Sequence, residues 1–494
     1  MTDAIWMDMG AFINLLIEGR IYAQIFGILM ILIMMYAERS TPEKIPLWTF
    51  VFLALPIFGT IAYLMIGQTF YAEHTFKIKG VSDKALAKAE KFDEYLIESD
   101  ITNLDEDTTK VIKAIKSVGG SVYSNNNDIQ LFTDGNDFFE KMFEDIRNAK
   151  HFIHLEYFIL RNDQLGNELM ELITEKAHEG LDVRLVIDYL GIKQKELIEP
   201  IHEFRAAGGK FTTFHRMATV LLSPKKNNRN HRKLAIIDGD IAYCGGYNIG
   251  DEYLGKGEFG NWRDSGVRIR GGGCIPINIR FLKDWNYAYR KSTENIDMEK
   301  MFRKSMFTPY GEERMQLVSG GPDIAWKNPV RLQYLEMIRV AKRKVWIHTP
   351  YLIPNDSLVD GLLLAAASGV DVRIIIPDRP DHYFVYWNNL YFANKLMEGG
   401  VRVYHYNNGF VHSKTIVVDD FFCSVGSANM DDRSLVHNFE SNAMIYSERI
   451  AKEMTEAFEK DLEFCTEYSC EEYKKRTPMM KLKISISKMF KTLS

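Results

Sequence analysis

HRKLAIIDGDIAYCGGYNIGD, residues 231–251, and HSKTIVVDDFFCSVGSANMDD, residues 412–432, align on each other without a gap. His231, Lys233, Asp238, Gly245, Asn248 and Asp251 fall on His412, Lys414, Asp419, Gly426, Asn429 and Asp432. Upstream, FIHLEYFIL from Phe152 echoes WIHTPYLIP from Trp346, and GLDVRLVID from Gly180 echoes GVDVRIIIP from Gly369. A repeat on this scale governs any fold reading, and duplication of one unit is its simplest origin. In each copy a helical pattern (FFEKMFEDIRNAK; LQYLEMIRVAKRK) precedes a short apolar β-type run, then another helix ending near a glycine, then a second run. Such alternation predicts an α/β fold, each repeat a sheet covered by helices. The His-x-Lys segments read as strand, with His and Lys two apart and so on one face. The apolar LAII and TIVV then anchor that strand in the core, and chemistry sits at its end.

Phosphodiester exchange needs a nucleophile for phosphorus, a proton donor for the departing alkoxide, and cations for the non-bridging oxygens. His231 and His412 supply the first two, because imidazole titrates near neutrality and two environments can push two copies apart. Lys233 and Lys414 supply the charge, with donors around Asn248, Ser427 and Asn429 in support. An acidic residue lies beyond each motif, Asp264 in NWRD and Glu440 in NFES, to orient the second nitrogen of an imidazole. Asp238 and Asp419 complete the repeated motif, although an aspartate just after an apolar strand also suits a turn held by local hydrogen bonds. No metal or other cofactor is called for.

The 494-residue chain has room for two or three folded units. Its net charge of −5 lacks the global basic field of a dedicated nucleic-acid binder, so no nucleic-acid partner is expected. The cysteines Cys244, Cys274, Cys423, Cys465 and Cys470 show no zinc-like pairing. Two uncharged stretches, IYAQIFGILMILIMMYA from Ile21 and IPLWTFVFLALPIFGTIAYLMIGQ from Ile45, reach the roughly 17 residues needed to span a bilayer. They predict a two-helix transmembrane hairpin within residues 1–72. Arg20, Lys77, Lys79, Lys84, Lys88 and Lys91 flank it on the outside against Arg39 and Lys44 in the loop, which places the large remainder in the cytoplasm. Residues 73–127 read as a charged helical connector and a poor candidate for chemistry. The repeats follow at 128–305 and 306–476. Residues 477–494 form a basic amphipathic helix, with Met479, Leu482, Ile486, Met489, Phe490 and Leu493 on one face, suited to an anionic membrane surface.

The duplicated His-x-Lys-x4-Asp motif resembles that of the phospholipase D superfamily. The surrounding text, NHRKLAIIDG with WRD and HSKTIVVDD with GSANMDDRS and NFE, is similar to the bacterial cardiolipin synthase branch, over essentially the whole chain. The resemblance implies phospholipase D-type repeats sharing one site at their interface. It implies phosphatidyl transfer between two phosphatidylglycerols through a phosphohistidine, giving cardiolipin and glycerol, by a multi-pass enzyme of the cell membrane. By the same carry-over His231 is the nucleophile and His412 the general acid and base. A membrane-anchored phospholipase D, a nuclease using the basic patch PKKNNRNHRK from Pro224, and a catalytically silent lipid-binding scaffold are the alternatives.

Overall fold

A computed structural model describes residues 19, 21–36, 45–64, 69–96, 98–192, 196–215, 228–289, 297–302, 308–324 and 328–489. They divide into an N-terminal unit, residues 1–78 with 216–228, and a larger unit, residues 79–215 with 229–494. Several strands of the larger unit are buried over runs of four to seven residues, as in LAII at 234–237 and ESNAMIY at 440–446, as expected of a sheet covered on both faces.

The first half contributes β1 (Tyr123–Phe132), β2 (Phe152–Tyr157), β3 (Asp182–Asp188), β4 (Lys210–Phe214), β5 (Leu234–Ile237), β6 (Ile241–Gly245), β7 (Trp262–Arg263) and β8 (Gly266–Arg270). The second contributes β9 (Glu313–Gly320), β10 (Lys344–His348), β11 (Leu352–Ile353), β12 (Asp371–Pro377), β13 (Arg402–Tyr406), β14 (Phe410–Val411), β15 (Thr415–Val418), β16 (Phe422–Gly426), β17 (Met430–Asp431), β18 (Glu440–Tyr446) and β19 (Cys465–Glu467). The halves share one continuous sheet, ordered β4, β3, β2, β5, β6, β8, β1, β9, β18, β16, β15, β10, β12, β13, β19. Outward from the central β1–β9 pair, each half repeats one order, β8-β6-β5-β2-β3-β4 against β18-β16-β15-β10-β12-β13. The antiparallel join sets Tyr123 opposite Gln316 and Ser124 opposite Met315. LAII and TIVV are buried throughout as β5 and β15.

His231 and Lys233, expected on the strand itself, lie in the extended segment just before β5, and His412 and Lys414 lie just before β15. Regular pairing ends there because these backbones turn to the opposite half. The His231 N–H donates to Phe439 O at 2.9 Å, and the His412 N–H donates to Arg263 O at 2.7 Å.

The connector is more than a linker. Helix Glu106–Gly119 is capped by Asp105, whose carboxylate accepts the Thr108 N–H at 2.9 Å. Its Val111, Ile112 and Ile115 are buried in the core of the second half beside Val318, Val330 and Met337. Sheet structure begins at Tyr123, inside the segment read as connector. At the other end, helix Pro478–Met489 docks on the second half through Ile484, fully buried, with Met480 packed beside it. Met479 and Leu482 stay exposed, while Phe490 and Leu493 of the expected apolar face lie outside the described residues.

In the N-terminal unit residues 21–36 are helical, and the second apolar run forms two helices, Ile45–Ala54 and Pro56–Ala62, parted at Leu55. Pro56 has no N–H and disfavours α geometry in the residue before it, which is why one continuous rod does not form. Met30, Met34, Trp48, Phe52 and Tyr63 pack together, Trp48 meeting Tyr63 edge-on at 5.2 Å. Ile25, Leu32, Phe50 and Phe58 are exposed. Among the described residues no helix is long and apolar enough to cross a membrane. Arg20, the connecting loop 37–44 and residues 224–227 of the basic patch lie outside the described residues.

Candidate active site

Short inter-repeat pairings bring the two motifs together. β14, just before His412, runs parallel to β7 with Val411 opposite Arg263, and Asn230, just before His231, bridges to Phe439. Each motif is thereby fixed beside the acid of the other half. His231 Nδ1 lies 3.1 Å from Glu440 Oε1, and His412 Nδ1 lies 2.7 Å from Asp264 Oδ2. The sequence places an acid beyond each motif in its own half; the fold exchanges them. Each carboxylate is placed to accept an Nδ1 hydrogen, the tautomer that leaves Nε2 basic, and at His412 the Lys414 Nζ also lies 2.7 Å from Nδ1.

The acids are held in turn. Asp264 Oδ1 accepts the Ser265 N–H at 2.8 Å, and Glu440 accepts from the Ser427 hydroxyl and, at 3.3 Å, from Asn438 Nδ2. The position of Ser427 in the repeat is Gly246 in the other copy, and a Cβ there would lie 2.0 Å from Asp264 Oδ1. The shorter acid sits against glycine, the longer one against serine.

Charge is concentrated and buried. Lys233 and Lys414 are buried, and Lys233 Nζ donates to His231 O at 2.7 Å while Lys414 Nζ stands 3.8 Å from Asp264. Burial pushes Lys233 down to about 7 and Lys414 down to about 8. Burial, followed by the Lys414 ammonium, pushes His412 down to about 3, and burial lowers His231 against the pull of Glu440. Although burial works the other way, Lys414 and His412 hold Asp264 below the ordinary carboxylate range, as His231 and Lys233 hold Glu440. A phosphodiester entering between the lysines brings the negative charge that restores their protons and that of an imidazole.

Other expected site residues support the site from within the protein. Asn248 Oδ1 accepts the Ile159 N–H at 3.1 Å and its amide donates to Tyr253 Oη at 2.8 Å. Ser427 gives its hydroxyl to Glu440 and its carbonyl faces His231 Nδ1 at 3.2 Å. Asn429 is buried with Oδ1 unpartnered. Asp238 and Asp419, grouped with the catalytic motif in sequence, sit at the far ends of β5 and β15. Asp238 accepts the N–H groups of Lys150, His151 and Phe152 at 2.7 to 3.0 Å, and Asp419 those of Lys342, Arg343 and Lys344 at 2.7 to 3.0 Å. Both have positive φ, 54° and 49°, the left-handed geometry that aspartate tolerates in turns. They start β2 and β10 and give the site its frame.

Arg232, the middle residue of the first His-x-Lys, is a supporting residue that the motif by itself does not single out. Its guanidinium is buried, donating to Asp284 at 2.7 Å, Ser441 Oγ at 3.1 Å and Gly320 O at 2.8 Å. An arginine there, where the second copy has Ser413, is the available signal, since a buried guanidinium requires carboxylates. Behind the motif Asn230 donates to Glu156 at 2.5 Å, and burial, then Asp284, pushes Glu156 up to about 8.

The family model described as "Cardiolipin synthase, PLD-like domain" matches residues 142–258 and 334–462, spanning both motifs, and a phospholipase D-nuclease N-terminal model matches residues 24–68. The chain is 37% identical over 493 residues to a protein named cardiolipin synthase 2 from Staphylococcus epidermidis, covering 97% of each. It is 38% identical over 476 residues to a cardiolipin synthase from Staphylococcus aureus, covering 94% of each. With one from Clostridium perfringens the identity is 39% over 462 residues, 92% of this chain and 95% of the relative. A solved phosphatidylserine synthase from Haemophilus influenzae shares the fold, with TM-score 0.59 and 17% identity over 78% of this chain and all of that one.

Proposed function

This chain belongs to the cardiolipin synthase family of phospholipase D-like proteins, and from that premise we propose how its two histidines divide the reaction. It is a phosphatidyltransferase that makes cardiolipin. The observation that carries the mechanism is the crosswise pairing of His231 with Glu440 and His412 with Asp264, beside two buried lysines.

Nε2 of His231 attacks the phosphorus of one phosphatidylglycerol. The bond to the glycerol oxygen breaks, His412 gives that oxygen its proton, and glycerol leaves. His412, now neutral, takes the proton from the hydroxyl of a second phosphatidylglycerol as its oxygen attacks the phosphohistidine. The P–N bond breaks, freeing cardiolipin and His231. Lys233 and Lys414 hold the negative charge that builds on the non-bridging oxygens. Burial and Lys414 favour the neutral form of His412, so the proton used in the first step is taken up from solvent as the anionic phosphodiester enters.

The two apolar stretches around residues 21–36 and 45–62, with their exposed apolar side chains, support a membrane hairpin that keeps the catalytic unit at the cytoplasmic face. The exposed Met479 and Leu482 support contact of the C-terminal helix with an anionic lipid surface.

Purified protein supplied with labelled phosphatidylglycerol should give cardiolipin in excess of phosphatidic acid. Replacing either His231 or His412 by alanine should lower turnover by about 10³-fold or more. Acid-quenched H412A, given an activated donor, should carry lipid on His231, and H231A should carry none. Lipid mapped to His412 reverses the assignment.

A further inference from the structure

Lys79 lies on helix Thr69–Ala89, outside both repeats, and its side chain is fully buried. Its Nζ is 2.7 Å from Asp83 on its own helix, 3.0 Å from Asp284 on helix Cys274–Tyr289, and 3.2 Å from Asp323 in the turn after β9. Arg280 joins Asp83 at 2.9 Å and Asp284 at 2.8 Å. Three cations, Lys79, Arg280 and Arg232, thus pair with three carboxylates, with the Lys283 ammonium in the same field, and each ion depends on the others.

Two routes lead from this cluster to one catalytic pair. Through Asp284, whose other oxygen takes Arg232 at 2.7 Å, Lys79 reaches the residue next to His231, and Arg232 also donates to the Glu440 carbonyl at 3.3 Å. Through the Phe439 ring, 5.4 Å from its Nζ and 5.3 Å from the Arg232 guanidinium, it reaches the residue before Glu440. The Phe439 carbonyl is the acceptor that fixes the His231 backbone.

We propose that Lys79 is a positioning residue for the His231–Glu440 pair, acting through Asp284, Arg232 and Phe439, so that the helix following the N-terminal apolar segments is part of the support of the active site. The proposal rests on the reading above only in that His231 takes part in the chemistry.

The test uses the full-length protein in mixed micelles of detergent and phosphatidylglycerol, and measures first-turnover glycerol release, kcat and KM. Lys79→Met removes the charge and keeps most of the stem. Lys79→Met with Asp323→Asn also leaves the cluster's net charge unchanged, which guards against simple unfolding. We expect the double variant to unfold at nearly the wild-type temperature yet release first-turnover glycerol about 10- to 100-fold more slowly, the cost of a small misplacement of reacting groups, with KM within about twofold. Leu362→Ala, destabilised in the core of the second half on helix Asp356–Ala367 and outside the cluster, should keep its rate per folded molecule. A folded double variant with wild-type first-turnover release overturns the proposal, as does a loss that merely follows the amount of folded protein. Mapping the trapped lipid to His412 would instead sink the assignment of roles. The Lys79 variants would then still report on His231, as the acid and base, through kcat.

Discussion

Asp264 and Glu440 set the tautomer of the two imidazoles, and each does so from the opposite repeat. Asp264→Asn can present an amide N–H to Nδ1 and turn the His412 ring to the wrong tautomer, so kcat should fall on the order of 10²- to 10⁴-fold with little change in fold. Double-mutant cycles read the crossing directly. Glu440→Gln should add little to His231→Ala and Asp264→Asn little to His412→Ala, whereas Glu440→Gln and Asp264→Asn should each act fully in the presence of the other. Coupling of His231 with Asp264 instead would refute the exchanged pairs. The lysines give a pH dependence with a definite sign. A lysine with a lowered pKa loses its proton as pH rises, so the phosphate clamp weakens through about 7 for Lys233 and about 8 for Lys414. The free-enzyme profile of kcat/KM should therefore fall on its alkaline side across that range. A profile level from about pH 7 to 9 would show that burial does not strip the lysines of their protons.

At the scale of elements, β2 and β10 begin where Asp238 and Asp419 gather three backbone N–H groups each. Those donors would be orphaned by alanine. Asp238→Ala or Asp419→Ala should cost about 1–3 kcal/mol of stability, seen as a lower thermal midpoint, while kcat measured well below that midpoint stays within about twofold. Loss of kcat in a fully folded Asp419→Ala enzyme would return these aspartates to the chemistry. The connector shows how element boundaries mislead when read by charge alone. Helix Glu106–Gly119 looks like a polar spacer, yet its Val111, Ile112 and Ile115 complete the core of the second half.

At the scale of the whole molecule, orientation in the membrane is read from the lysines that follow the apolar segments. Lys79 leaves that count because it is buried among carboxylates, but Lys77, Lys84, Lys88 and Lys91 remain exposed. The positive flank still predicts a cytoplasmic catalytic unit. A cysteine placed in the loop at residues 40–44 should react with an impermeant thiol reagent added to intact cells, and one placed near Lys84 should be protected. The reverse labelling pattern would invert the topology.

The sequence by itself determined the duplication, the two histidines, the two lysines and the apolar N-terminal stretches. Each of these is written locally, in a motif of a few residues, a strand-length apolar run or a repeated register. Even Asp264 and Glu440 were legible as acids in search of an imidazole. Which acid serves which histidine was decided only by the tertiary structure, because the pairs lie 209 and 148 residues apart and no local periodicity spans such distances. The same holds for the merging of two sheets into one through β1 and β9, and for the turn of the motif backbones toward the other repeat. It holds most for Lys79. In sequence it is one lysine of a basic flank, and only the arrival of Asp284 and Asp323 from distant segments makes its burial affordable and ties its helix to the active site.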